Sequence, residues 1–165
     1  MSIVVSDTSP IRVLAHLGHL ELLRTLFREV LVPTAVVLEL EQPRSRLPSL
    51  VVRSLAFVRV QDPVDRKAVR ELRATLGPGE AEALVLAEEV HADAILIDEA
   101  AGRTAARDRG LRPFGALGLL VRARRMGLVE PLARLMDRLQ TELGFYISPA
   151  VRAIVLRQAG ESEGT

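Results

Sequence analysis

Short uninterrupted apolar runs alternate along the chain with longer stretches in which apolar residues recur every three to four positions. Ser2–Ser6 (SIVVS) is β-branched and apolar and stops at Asp7, as a buried strand does. Beyond Pro10, the positions Ile11, Leu14, Ala15 and Leu17 carry helical spacing, and Leu20, Leu23, Leu26 and Phe27 carry it again over 19–28. Val30–Val32 predicts a short strand, and Pro33 and Thr34 open a helix through Leu40. The stretch 42–49, with Pro43, Arg44, Arg46 and Pro48, predicts a loop. Ala56–Gln61 is strand-like, and Val64, Ala68, Leu72 and Leu76 space a helix that Gly77-Pro78-Gly79 breaks. Glu80–Val90 predicts a strong helix with acids in its first turn. Ala94–Ile97 (AILI) predicts a buried strand ending at Asp98-Glu99, followed by a helix over Ala100–Arg109 that Gly110 stops. Leu111–Phe114 predicts a short last strand, and three helices close the chain over Leu117–Met126, Pro131–Leu143 and Pro149–Arg157.

Strands alternating with helices imply right-handed crossovers. The expected fold is a three-layer α/β/α domain with a mostly parallel central sheet of four to five strands. It occupies 1–159 as a single domain, with a disordered tail over 160–165. In such sheets ligands sit outside the carboxyl ends of the strands. Two strands end there on acids, Asp7 and Asp98.

Composition narrows the chemistry. The 165 residues are 48 % apolar, enough for one full core, and carry a net charge of only +1. A nucleic-acid binder that relies on a large excess of positive charge is excluded. With no cysteine there is no disulfide framework, thiolate zinc site or Cys nucleophile. No apolar run approaches the ~20 residues of a membrane span. The opening MSIVVSDTSP lacks the basic leader of a signal peptide, so a soluble cytoplasmic protein is expected. Lys67 is the only lysine among 22 basic residues. That bias fits genomic composition as well as phosphate recognition by arginine forks.

The acids are the candidate chemistry. Asp7 and Asp98-Glu99 end strands, Glu39 lies on the helix after Pro33, and Glu80 and Glu82 lie near the start of the helix after Gly79. Each has a plain alternative: Asp7 as a helix cap, Glu80 as a complement to the helix dipole, Glu39 as a solvated face. Glu39 nevertheless has Val36, Val37, Leu38 and Leu40 around it, apolar company that demands a partner. Several carboxylates in one cleft repel one another unless a cation sits among them, and oxygen-only ligands select Mg2+ or Mn2+. Such an ion activates water and stabilises an in-line phosphoryl displacement. His16, His19 and His91 show no ligand spacing and read as surface or cap residues.

Four segments together resemble the PIN-domain family. IVVSDTSPI (Ile3–Ile11) resembles its opening strand and metal-binding Asp, and VPTAVVLEL (Val32–Leu40) resembles its V-P-x-x-V-x-x-E helix. LGPGEAEALVLAEE (Leu76–Glu89) and AILIDEAAGRTAA (Ala94–Ala106) are similar to a prokaryotic branch with G-E-A-E-A and I-D-[DE]-x-x-G-R motifs. The ending ELGFYISPAVRAIVLRQAGE is similar to that branch's C-terminal helix, so the resemblance spans nearly the whole chain. It implies a metal-dependent ribonuclease, the toxin of a VapBC-type toxin–antitoxin pair, acting on RNA as a homodimer beside an antitoxin. It assigns Asp7, Glu39, Glu82 and Asp98 to catalysis and metal binding, with Glu80 and Glu99 as alternates. Thr8 and Ser9 position Asp7 or an incoming phosphate, and Arg103 binds substrate. The implied reaction is direct hydrolysis by an activated water, with no protein nucleophile.

Arg103 and Arg107 lie one turn apart on one helix face, and Arg44 and Arg46 lie in the proline-containing loop; either pair suits backbone phosphates. Aromatic residues are 3 % of the chain, with one tyrosine and no tryptophan, so stacking platforms are few. A dinucleotide site at Gly77-Pro78-Gly79 fails for want of a preceding strand and a third glycine. A phosphoaspartyl reading fails because Ser9 stands where a second acid belongs and Lys67 is misplaced. The remaining alternative is a PIN-like fold used as a non-catalytic binding module for nucleic acid or protein. Leu119, Leu120, Val121, Leu128, Val129, Leu132, Leu135, Met136 and Leu139 exceed what a thin layer needs, and the excess is expected at a dimer interface.

Overall fold

In the computed structural model, residues 2–44 and 47–162 are described. Arg46, one of the two loop arginines, lies outside the described residues. Five strands form one parallel sheet: β1 (Ile3–Ser6), β2 (Glu29–Val32), β3 (Val58–Val60), β4 (Ala94–Leu96) and β5 (Pro113–Phe114), in the order β3-β2-β1-β4-β5. Val4 pairs with Val30 on one side and with Ala94 on the other. The chain therefore winds outward from β1 to β3, returns to β4 beside β1, and winds outward the other way. That reversal opens a crevice at the carboxyl ends of β1 and β4, where loops leave in opposite directions.

Both faces of the sheet are covered, which is why its strands read as continuous apolar runs. Val4, Val30, Val32, Ala94 and Leu96 point into the larger core. That core is closed by α1 (Thr8–Leu17), α2 (Leu22–Leu26), α3 (Thr34–Glu41), α7 (Ala116–Arg125), α8 (Leu132–Leu143) and α9 (Pro149–Gln158). Val5, Leu31, Ile95 and Ile97 point the other way, onto α5 (Pro78–Glu89) and α6 (Ala100–Asp108). A short α4 (Arg66–Leu72) packs Val69 on Ala81 and Val85 of α5.

The expected three-layer architecture with a parallel sheet stands, and most elements fall within a few residues of expectation. The differences are local. The helix expected over 19–28 shrinks to α2, because Gly18 takes a left-handed φ of 77° and Phe27 is already extended. The helix expected over 64–76 shortens to α4, since Asp65 caps it by accepting from the Ala68 N–H and a turn follows Leu72. A 3-10 turn at Val52–Ser54 was not anticipated. Leu119, Leu120, Val121, Val129, Leu132, Leu135, Met136 and Leu139 are all buried in the larger core, leaving only Leu128 of that set exposed. The apolar excess thus belongs to the core rather than to an interface. The start of the expected tail is also ordered: Glu161 pairs with Arg124 at 2.9 Å and accepts the Leu132 N–H at 2.8 Å, tying α9 to the start of α8. The remainder of that tail, 163–165, lies outside the described residues.

Candidate active site

Asp7 follows directly from β1. Its N–H donates to Leu96 O of β4 at 2.9 Å, so the crevice between the two strands is closed at its base by this residue. It stands at the N-cap of α1, yet its side chain accepts no capping hydrogen bond. The capping alternative therefore does not explain it. Asp7 is 5 % exposed. Burial pushes its carboxyl from 3.8 up to about 7; the Thr8 N–H opposes the rise, and Glu80, Glu39 and Asp98 add to it by repulsion.

Three further carboxylates reach the same place, each laid against the start of a helix. Glu39 comes from α3. Its Oε1 accepts the Gly79 N–H of α5 at 3.1 Å and its Oε2 accepts the Thr8 hydroxyl. Asp98 comes from the end of β4. Its Oδ1 accepts the Ala116 N–H of α7 at 2.7 Å and its Oδ2 accepts the Ser9 hydroxyl at 2.8 Å. Burial raises the Asp98 pKa, against those two hydrogen bonds and the nearby Arg103 guanidinium. Glu80, in the first turn of α5, lies against α6, and its Oε2 is buried without a hydrogen-bond partner. Its pKa is also raised, first by burial and then by Glu99. Exposed Glu99 lines the same cleft, of about 380 Å3, as Asp7, Glu39 and Glu80.

Glycines make these approaches feasible. A Cβ at Gly79 would stand 2.8 Å from Glu39 Oε2, one at Gly102 would stand 2.7 Å from Glu80 Oε2, and one at Gly115 would stand 3.0 Å from Asp98 Oδ1. Real Cβ atoms essentially never approach another heavy atom to under 3.0 Å, and a 3.0 Å approach is tighter than nine in ten such contacts. Four helix N-termini, those of α1, α5, α6 and α7, thus converge on the acids, and their partial positive charge offsets part of the mutual repulsion.

Glu82 is not among them. It lies two residues from Glu80, about 200° around the helix axis. Its Oε1 pairs with Arg66 at 2.7 Å, and its Oε2 accepts the Ala35 N–H at 3.3 Å. Glu82 thereby ties α5 to α4 and to the start of α3, the helix that carries Glu39. Glu82, expected as the third acid, does not line this cleft, whereas Glu80, the alternate, lines it with Asp7.

Thr8 and Ser9, expected to position Asp7 or an incoming phosphate, donate instead to Glu39 and Asp98. Arg103 donates to Ile97 O at 3.3 Å and sits beside Asp98. The histidines are structural: His16 meets Glu142 at 3.0 Å, His19 meets Glu130 at 2.7 Å, and His91 takes a φ of 50° just beyond α5. Sequence reasoning missed Arg12. It is buried in α1, and its guanidinium donates to Glu39 O and to Gln42 O (3.0 Å), closing the end of α3. No periodicity marks a buried arginine; a charge among Ile11, Val13 and Leu14 is the only signal. The three glycines were visible within the motifs, but only the fold shows what each admits.

A family model described as PIN domain matches residues 3–161. The chain belongs to the PIN-domain family. Among curated proteins none matches. The PIN fold is a nuclease-type fold, and in this PIN domain the acids lie at the sheet reversal where the fold leaves its open crevice. No helix of the described residues is long and apolar enough to cross a membrane.

Proposed function

We propose that this PIN domain is a metal-dependent ribonuclease that hydrolyses RNA phosphodiester bonds with Mg2+ or Mn2+. The observation that carries the reading is the convergence of Asp7, Glu39, Glu80 and Asp98 on one crevice, with a buried Glu80 oxygen that has no partner. The donor set is entirely carboxylate oxygen, which suits a hard divalent ion and no soft one. Asp7, Glu39, Glu80 and Asp98 would hold it, with Glu99 at the rim. When bound, such an ion supplies an activated water and charge stabilisation for the phosphate oxygens.

The chain's own groups do the rest. The Thr8 hydroxyl and Gly79 N–H fix the Glu39 carboxylate, and the Ser9 hydroxyl and Ala116 N–H fix Asp98. Arg103, beside Asp98, presents positive charge towards a phosphate entering from that side. With a pKa of about 7, the Asp7 carboxyl exchanges its proton near neutrality. Binding of an ion at Asp7 therefore competes with that proton near neutrality. The toxin role, with an antitoxin partner and a homodimer, follows from the family resemblance and belongs to the same proposal.

One observation favours a second reading, a non-catalytic binding module. Among the described residues no three carboxylates or imidazoles stand as a ready ligand shell. Incubating the protein with a fluorophore-quencher RNA and Mn2+ separates the two. Cleavage by wild type, lost in Glu80→Gln and kept in Glu82→Gln, supports the nuclease. RNA bound but left intact by wild type supports the module.

A further inference from the structure

The acid crevice does not end at Asp98. It continues into a second groove of about 690 Å3 between α6, α7 and the start of α9, and Phe145 forms the wall common to both. This volume falls within the ~300–1,000 Å3 of small-ligand sites. Aromatic residues are scarce in this chain, yet three of its five, Phe114, Phe145 and Tyr146, line this one groove. Arg103 and Arg107 line it as well, on the same face of α6.

Tyr146 is 83 % exposed and contributes almost nothing to the core. The turn that carries it is nevertheless fixed. Gly144 caps α8 with a φ of 64°, the Phe145 N–H donates to Leu139 O at 3.0 Å, and Gln140 donates to Ile147 O at 3.3 Å. Ile147 is buried, and Ser148 caps α9 by accepting the Val151 N–H. An exposed aromatic on a pinned turn, facing two guanidinium groups across a groove that opens on the acids, has the composition of a nucleotide subsite. Every base has a face that stacks on an aromatic ring, and arginine forks match phosphate.

We propose that this groove seats the nucleotide adjoining the scissile phosphate on the Asp98 side, its base against Phe145 and Tyr146 and its phosphate on Arg103 and Arg107. The inference rests on the nucleic-acid reading of the acid crevice. The occupant is a nucleotide rather than an apolar peptide, because the aromatic wall is paired with cations and shares Phe145 with that crevice.

The sequence itself supplies the probe. Tyr146 is the only tyrosine and there is no tryptophan, so tyrosine fluorescence reports from this groove alone. The test titrates the protein in EDTA with octauridylate, corrected for absorbance, and separately measures RNA cleavage with Mn2+. Saturable quenching is expected, weakened about 10-fold or more in the Arg103→Ala/Arg107→Ala variant. Cleavage by Tyr146→Leu should show KM raised about 5- to 100-fold, the range of one lost base stack, with Tyr146→Phe restoring it. Cleavage by wild type without quenching, and with Tyr146→Leu at wild-type KM, overturns the groove while the nuclease reading stands. Quenching without cleavage supports the groove and overturns the nuclease reading. Quenching by protein concentration alone, without oligonucleotide, marks the face as a self-association surface and overturns the proposal.

Discussion

At the scale of single residues, Glu80 and Glu82 separate chemistry from architecture. Glu80 has a raised pKa and an unpartnered buried oxygen, whereas Glu82 is 9 % exposed and fully engaged by Arg66 and Ala35. Glu82→Gln therefore loses a part-buried charge-assisted bond and should cost about 1 kcal/mol in urea unfolding, with Mn2+ binding retained. Glu80→Gln should leave metal-free stability unchanged or higher and weaken Mn2+ binding at least tenfold by calorimetry. Asp7 gives a pH signature. Its folded pKa of about 7 exceeds the ordinary 3.8, so its contribution to stability is complete below pH ~4 and is lost as pH rises through 7. Asparagine mimics the neutral carboxyl. Asp7→Asn should match the metal-free wild type near pH 4 and exceed it by about 2–4 kcal/mol at pH 8, measured by unfolding at both pH values. A variant less stable at pH 8 would show that Asp7 serves the fold as an anion. Asp7, Glu39 and Asp98 are legible in the sequence as candidates because they sit at strand ends or in recognisable motifs. The family resemblance favours Glu82 over Glu80, but the choice depends on which side of α5 meets β1 and on a distant arginine, Arg66.

At the scale of elements, the site is built from helix starts, and its tolerance is set by glycine. Gly79→Ala places a methyl 2.8 Å from Glu39 Oε2 and must displace that carboxylate from the Gly79 N–H. Alanine also favours helix over glycine by up to ~1 kcal/mol. The expected result is cleavage reduced tenfold or more, with a melting temperature within about 3 °C of wild type. An unchanged rate would mean that Glu39 does not need its observed position. Apolar patterning made nearly every element legible, since buried parallel strands and amphipathic helices write different periods into the chain. It failed where short-range chemistry overrides the pattern. Gly18 and Phe27 cut α2 short, and Asp65 starts α4 two residues later than the apolar spacing suggests.

Across the whole molecule, one sheet reversal gathers acids from residues as far apart as 7 and 98, and a neighbouring groove that Asp98 also lines reaches Tyr146. Order along the chain made the first part legible, because acids that end parallel strands must lie at one edge. It hid the second, because Phe145 and Tyr146 read as the approach to a terminal helix. Three carboxylate pKa values in the crevice are raised, and burial is the first cause in each, ahead of repulsion.

The most direct test of the central claim is thermal unfolding with and without Mn2+, for wild type and Asp7→Asn. An ion that binds only the folded protein stabilises it by about 2.7 kcal/mol at a hundredfold excess over Kd, or roughly 5–10 °C for a chain of this size. The account predicts that rise in wild type and its loss in Asp7→Asn. No Mn2+-dependent shift in wild type, or an equal shift in both proteins, would contradict it.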